Sequence, residues 1–367
     1  MNNKIKVDII AGARPNFIKI APIIHAFQSL PQFKFRLIHT GQHYDKNMSD
    51  NFFTQLQIPK PNQNLEVGSG SQAEQTAGIM LGYESYLNTT YKPDLCMVVG
   101  DVTSTMSCAL VAKKEQIKLA HVEAGIRSGD LSMPEEINRI VTDSITDYFF
   151  TTSELAGHNL KLMGVSTKQI YFVGNVMIDS LRKFEPEFYT PKIWKILKLE
   201  LQHYFVLTLH RPSNVDQDEH FFKMLSIIDK EAVNLPVIYP VHPRVKAKFE
   251  TSRHRFKNIK IVEAMSYLEF NYLVKQAKAV ITDSGGITEE ATVYNVPCIT
   301  LRQNTERPET VEMGTNVLVK HFPQDFKTYM KIIHDNSWKI GNIPPKWDGN
   351  AAFRILKHVQ DIFNKNV

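Results

Sequence analysis

Short apolar runs alternate with helical-period stretches along this chain. The runs fall at 5–10, 35–39, 95–99, 117–121, 147–151 and 169–173. A second series follows at 204–209, 236–240, 258–262, 278–282, 297–301 and 316–319. Such short, largely apolar runs fit parallel strands buried on both faces. Between most of them apolar residues recur at helical spacing, as with Ile18, Ile20, Ile23, Ile24 and Phe27 within 15–29, and helical stretches also cover 103–115 and 134–147. This alternation predicts an α/β fold with two doubly wound Rossmann-like domains and ligand in a central cleft at the carboxyl ends of the strands. There is no sequence repeat, only a repeated architecture. The expected division is 1–173 plus 352–367 for the first domain and 174–351 for the second. The stretch 185–203, with Pro186, Pro191 and several lysines, reads as the passage between halves. The last helix, about 350–364, carries Phe353, Leu356, Val359 and Phe363 on one face and is long enough to pack back onto the first domain.

A length of 367 residues agrees with two cores. The net charge of +5 is modest, and the cations are spread along the chain. That argues against nucleic-acid binding and leaves anionic small substrates open. Cys96, Cys108 and Cys298 form no CxxC pair and read as reduced core residues. No signal peptide and no run of membrane-spanning length is visible, so the expectation is a cytoplasmic protein. With no HExxH, CxxC or Asp-rich loop, a catalytic metal is not indicated.

The most informative segment is Asp283-Ser284-Gly285-Gly286-Ile287-Thr288-Glu289-Glu290, after the apolar run Ala279-Val280-Ile281. Two glycines at a strand-to-helix turn leave backbone N–H groups open to an anion. Glu290, one helical turn in, does not suit a phosphate; it suits a hydroxyl donor. Diphosphate plus hydroxyls describes a nucleotide sugar. The alternative is an ordinary tight turn with solvated carboxylates.

Charged residues gather at other strand ends. Gly12 permits a turn after the first strand, with Arg14 at the turn and Lys19 in the first helical turns. Cations are disfavoured at a helix N-terminus unless an anion joins them. Asp101 follows the run 95–99 directly and would serve either an active site or a helix cap. Glu123 ends the next strand, and Glu135 and Glu136 follow Pro134 at a helix start. Asp101, Glu123 and Glu135 are thereby placed to converge on one sheet edge as candidate acids and bases; the alternative for Glu135 and Glu136 is stabilisation of the helix start. His210, beside Arg211, and His242 end two strands of the second half and are candidate ligand or acid–base groups, or structural histidines.

Taken in order, these motifs resemble the non-hydrolysing UDP-N-acetylglucosamine 2-epimerases over nearly the whole chain. The matching segments are Gly12-Ala13-Arg14-Pro15 with Lys19, Gly41-Gln42-His43, Gly100-Asp101, His121-Val122-Glu123-Ala124-Gly125-Ile126-Arg127, Pro134-Glu135-Glu136-Ile137-Asn138-Arg139 and Gly174-Asn175. They continue with His210-Arg211, Asp283-Ser284-Gly285-Gly286 with Glu289-Glu290, and Thr305-Glu306-Arg307-Pro308-Glu309. The resemblance implies a glycosyltransferase-B-like fold, a homodimer, no nicotinamide cofactor, and a role in making surface-polysaccharide precursors. It implies that Arg14, Lys19, Ser284, Gly285, Gly286, Glu290 and Arg307 hold UDP, that Phe270 lies near the uracil, and that Asp101, Glu123, Glu135 and His210 form the catalytic set.

Two departures stand out. Substrate-activated members carry a second glutamine soon after the position of Gln42, whereas Tyr44-Asp45-Lys46-Asn47-Met48 follows here. That puts allosteric activation in question, and the same stretch also resembles siblings acting on UDP-2,3-diacetamido-glucuronic acid. Around His210 the chain reads Leu-His-Arg-Pro-Ser-Asn where many relatives have Gly-His-Arg-Arg-Glu. A glycosyltransferase of the same fold and a catalytically silent nucleotide-sugar sensor are the rival classes; retention of all three carboxylates argues against the sensor.

Overall fold

The computed structural model describes residues 4–41, 53–241, 243–251 and 256–364. They fall into two compact units, Met1–Lys183 with Pro345–Val367, and Phe184–Pro344. Each is a parallel sheet with helices between its strands. Among the described residues no helix is long and apolar enough to cross a membrane.

The first unit holds β1 (Ile5–Ala11), β2 (Phe33–His39), β3 (Gln63–Asn64), β4 (Leu95–Val99), β5 (Lys118–Val122), β6 (Tyr148–Thr151) and β7 (Ile170–Phe172), in the spatial order β3-β2-β1-β4-β5-β6-β7. Its helices are α1 (Arg14–Gln28), α2 (Gln72–Thr89), α3 (Thr103–Lys114), α4 (Pro134–Ile145), α5 (Glu154–Leu162) and α6 (Val176–Phe184). The order reverses between β1 and β4, which pair in parallel with Asp8 opposite Cys96. All five residues of β4 are buried, as a central strand covered on both faces requires. A fully buried side chain such as Ile9 contributes about 1.5–3 kcal/mol by leaving water. The three cysteines are free and buried, Cys96 and Cys108 in this unit and Cys298 in the other.

The second unit repeats the plan. Strands β8 (Phe205–Thr208), β9 (Val237–Val241), β10 (Ile259–Glu263), β11 (Ala279–Thr282), β12 (Cys298–Thr300) and β13 (Asn316–Leu318) lie in the order β10-β9-β8-β11-β12-β13. Helices α7 (Asp218–Glu231), α8 (Pro243–Thr251), α9 (Tyr267–Gln276), α10 (Gly285–Val293) and α11 (Gln324–His334) connect them. Here the order reverses between β8 and β11, with Thr208 opposite Thr282. Every apolar run expected to be a strand is one, and the pattern in each unit is Rossmann-like.

Two details differ from expectation. Helix α2 escaped the pattern because Gly78 and Gly82 dilute its apolar stripe; only Ile79, Tyr83 and Leu87 are buried. Its readable signal is the capping box, in which the Ser71 hydroxyl accepts from Glu74 N and the Glu74 carboxylate accepts from Ser71 N. The last helix, α12 (Ala351–Asn364), belongs to the first unit, but Phe353 is 66% exposed. Its buried face is Ala352, Ile355, Leu356 and Val359 instead. The entry of α12 is set by Asp179 of α6, whose carboxylate accepts from Ala351 N (3.0 Å) and Ala352 N (2.7 Å). Burial pushes that carboxyl up to about 6 against the pull of the two donors.

Candidate active site

In each sheet the reversal of strand order opens a crevice at the carboxyl ends of the two central strands, the usual place for a ligand. The residues expected to carry chemistry sit there.

In the first unit, the turn from β1 to α1 is fixed by Asn16. Its Oδ1 accepts from Ala13 N (3.2 Å), and its Nδ2 donates to Val99 O (2.9 Å), tying the turn to the end of β4. Lys19, on α1, places Nζ 2.6 Å from Glu123 Oε2, and both side chains are largely buried. Gly100 makes room for the pair: it has φ +74, and a Cβ there would stand 3.2 Å from Lys19 Nζ and 3.7 Å from Glu123 Oε2. Glu123 itself has φ +77. That left-handed backbone costs a non-glycine residue about 1–3 kcal/mol. It is held by Glu123 N and Ala124 N, which both donate to Phe150 O. Such strain, retained at a strand end, fits a residue kept for function.

Asp101 does not cap the following helix; the N-cap of α3 is Val102, without a side-chain bond. Its Oδ2 instead accepts from Arg139 Nη1 at 2.5 Å. Arg139 is in turn fixed by Glu136, at 2.8–2.9 Å from Nη2 and Nε. Glu136 also accepts from Ser128 N and Gly129 N, both at 3.0 Å, clasping the loop before α4. Burial pushes the Glu136 carboxyl up, but those two N–H groups and the Arg139 guanidinium outweigh it and hold it low. Glu135, one residue earlier, is half-buried in the first turn of α4, and among the described residues it makes none of these bonds. The neighbouring carboxylate is therefore the structural one.

His121 supports the same edge. Its Nε2 lies 2.8 Å from Gly100 O, and its Nδ1 lies 2.7 Å from Asp143 Oδ1. Asp143 also receives Gly125 N (3.1 Å) and Arg127 (2.7 Å). Burial raises the Asp143 carboxyl, but His121 and Arg127 lower it more.

In the second unit, α10 starts at Gly285 directly after Ser284, whose hydroxyl makes no capping bond. A Cβ on Gly285 would meet nothing within 4 Å, so neither backbone conformation nor packing demands glycine. Open space over a helix N-terminus is an anion site. One turn in, Glu290 is 4% exposed and accepts from Asn271 Nδ2 at 3.4 Å. Burial pushes its carboxyl up to about 8, and the Glu289 charge adds to this. It is a neutral acid at pH 7, able to donate to or accept from a hydroxyl. Arg307, 7% exposed, is locked onto Glu289 through Nε. The loop before it is held by a bidentate pair, Arg302 to Glu306 at 2.8 and 2.9 Å. Burial raises the Glu306 carboxyl, but Arg302 and then Arg211 bring it down to about 2.

His210 follows β8 and is 59% exposed, with Nδ1 2.8 Å from Asp283 Oδ1. Phe270, on α9, is half-buried and packs on the cluster of Tyr204, Leu273 and Val280. A cavity of about 440 Å³ opens at the carboxyl ends of β9 and β10, lined by residues including Ile193, Val241, Glu263 and Met265. Arg14 opens α1, but its side chain lies outside the described part of the structure, as do Gln42, His43, Tyr44–Met48 and His242. Sequence reasoning missed Asn16, Arg302, Asn271 and the roles of Glu136 and Arg139. Only the last two had a signal, their place in the segment Glu135-Glu136-Ile137-Asn138-Arg139. Among the described residues no cluster of three or more His, Cys, Asp or Glu is placed to hold a metal ion.

Residues 25–360 match a family model described as UDP-N-acetylglucosamine 2-epimerase. A UDP-N-acetylglucosamine 2-epimerase from Methanocaldococcus jannaschii is 42% identical over 371 residues, covering 96% of this chain and 98% of that protein. The crystal structure of the M. jannaschii UDP-GlcNAc 2-epimerase in complex with UDP-GlcNAc and UDP superposes with a TM-score of 0.85 at 40% identity, covering 96% of this chain and all of that one (100%). A UDP-2,3-diacetamido-2,3-dideoxy-D-glucuronate 2-epimerase from Pseudomonas aeruginosa is 37% identical over 318 residues, covering 86% of this chain and 88% of that protein.

Proposed function

From its membership of the UDP-N-acetylglucosamine 2-epimerase family, to which this chain belongs, we propose that it interconverts UDP-N-acetylglucosamine and UDP-N-acetylmannosamine by inversion at C2. The observation that carries the reading is the pair of carboxylates at consecutive strand ends of the first unit, Asp101 and Glu123, each bonded to a cation. The C2 hydrogen is not next to a carbonyl, so its direct removal has a high barrier. Departure of UDP makes C1 cation-like and acidifies that hydrogen. A base takes the proton, the C1–O bond breaks with its electron pair leaving on UDP, and a C1=C2 double bond forms. UDP then re-adds at C1 while a proton reaches C2 on the other face. Two proton-handling groups are required, and we assign them to the set Asp101, Glu123 and Glu135, with His210 serving the departing group.

The nucleotide is assigned to the second domain, at Ser284, Gly285, Gly286, Glu290 and Arg307 with Phe270 near the base, and to Arg14 and Lys19 for its charge. Supporting this are the open N-terminus of α10 and the neutral carboxyl of Glu290, suited to a ribose hydroxyl. Firm hold on UDP matters because an escaping intermediate ends the cycle. A homodimer in the cytoplasm completes the proposal; light scattering tests the assembly.

The test is proton NMR of the enzyme with UDP-N-acetylglucosamine in heavy water, without added NAD or metal. Both UDP-sugars should appear, each carrying deuterium at C2. Product with C2 still protonated would sink the elimination. Stoichiometric release of UDP would point to a glycosyltransferase, and free N-acetylmannosamine to a hydrolysing enzyme. The likeness to the Pseudomonas protein favours one second reading, the diacetamido-glucuronate substrate. Comparing the two sugars at equal concentration decides between them. With the second glutamine replaced, reverse epimerisation of pure UDP-N-acetylmannosamine should start without a lag. A lag abolished by a trace of UDP-N-acetylglucosamine would reveal an effector site.

A further inference from the structure

Asp283 sits between two features already assigned, and the proposed reaction gives it no part. It follows β11 and directly precedes the Ser284–Gly285 turn, yet its side chain turns away from that turn and is fully buried. Four donor groups converge on it. His210 Nδ1 lies 2.8 Å from Oδ1, and His210 N is 3.1–3.2 Å from both oxygens. Arg211 N and Asn214 Nδ2 each donate to Oδ2 at 3.0 Å. A carboxylate has about four lone-pair sites, so this one is fully engaged by the protein and has none left for a ligand. Burial pushes the carboxyl up, but His210, Arg211 N–H and Asn214 hold it low, so the oxygens accept and the ring nitrogen facing them must donate.

We propose that Asp283 is the positioning residue of His210: it fixes the Nδ1–H tautomer and the ring plane, leaving Nε2 on the far side as the nitrogen that meets substrate. The parallel register of Thr208 with Thr282 makes this possible, since it brings the two strand ends side by side. The inference rests on the assignment of His210 to the reaction.

The experiment reads the tautomer in the wild-type enzyme first. With ¹⁵N-histidine labelling, and the His210 signals identified by their loss in His210→Asn, the ring at alkaline pH should carry its proton on Nδ1. A proton on Nε2 overturns the proposal without any variant at Asp283. Asp283→Asn should then lower kcat by roughly 10²–10⁴-fold, the loss typical of a misdirected tautomer, with the UDP Kd within about threefold of wild type. Asp283→Glu should recover part of the rate. Asn214→Ala removes a different donor from the same carboxylate and should cost less than about tenfold in kcat. If it costs as much as Asp283→Asn, the carboxylate serves the loop and the proposal fails. Absence of C2 exchange in the wild type would instead sink the epimerase reading, while the tautomer result stands by itself.

Discussion

The two units share a strand order and place their chemistry at the same point of it, yet they treat charge in opposite ways. At the β4 and β5 ends of the first, carboxylates are paired with cations, Glu123 with Lys19 and Asp101 with Arg139. At the β11 end of the second, the one carboxylate beside the turn, Asp283, is turned inward, and what remains is backbone N–H at a helix start. One edge suits proton transfer to and from carbon, the other suits an anion. Topology decides where a site lies in a doubly wound sheet; the few residues after each strand decide what it can do.

The largest expected effect breaks the first half of this contrast. Arg139→Leu leaves Glu136, 2% exposed, without its cation. Loss of one partner from a buried pair costs about 3–5 kcal/mol, so thermal unfolding should show a large drop in midpoint. An unchanged midpoint would mean the Arg139 network does not hold the edge together.

Next in size are the carboxylates themselves. Asp101→Asn and Glu123→Gln should each lower kcat by about 100-fold or more, roughly 3 kcal/mol, with little change in UDP affinity by calorimetry. Near-normal turnover in either variant returns that residue to a structural role.

The third prediction uses pH to separate the units. The Glu290 carboxyl in the second unit is raised from 4.5 to about 8, so the folded state holds the proton across that window. Its contribution to stability is full below about pH 4.5 and is lost as pH rises towards 8, with a slope of at most about 1.4 kcal/mol per pH unit. In Glu290→Gln the unfolding midpoint should fall less between pH 5 and 8 than in the wild type. Parallel curves would show that Glu290 is not the buried neutral acid described.

The smallest effect is the sharpest contrast. Gly100→Ala forces a side chain onto φ +74 beside Lys19 and should destabilise by about 1–2 kcal/mol. Gly285→Ala meets open space, so the free protein should be unchanged or stabilised by up to about 1 kcal/mol. The methyl would occupy the approach to the helix N-terminus, and UDP should bind several-fold more weakly. If Gly285→Ala binds UDP normally, the anion does not sit there.

Much of this was legible in the chain. The strands follow from apolar runs whose length and composition are local properties, and the helices α1, α3 and α4 from spacing that neighbouring side chains set. The glycine turn at 285 and the acids at strand ends were readable because strand-to-helix punctuation is local as well. Helix α2 was missed because its stripe is thin and its start is written in a capping box. What the sequence could not decide is pairing at a distance. Glu135 and Glu136 are adjacent and chemically alike, and only the docking of α4 against the β4 end buries the second and leaves the first half-buried. Phe353 reads as core until the helix is rotated by the residues that Asp179 caps. Asp283 and His210 lie 73 residues apart and meet only because β8 and β11 are neighbours in the sheet. Periodicity is set by adjacent residues and so is written in order along the chain; burial and charge pairing are set by which surfaces meet, and that is settled only when the sheet closes.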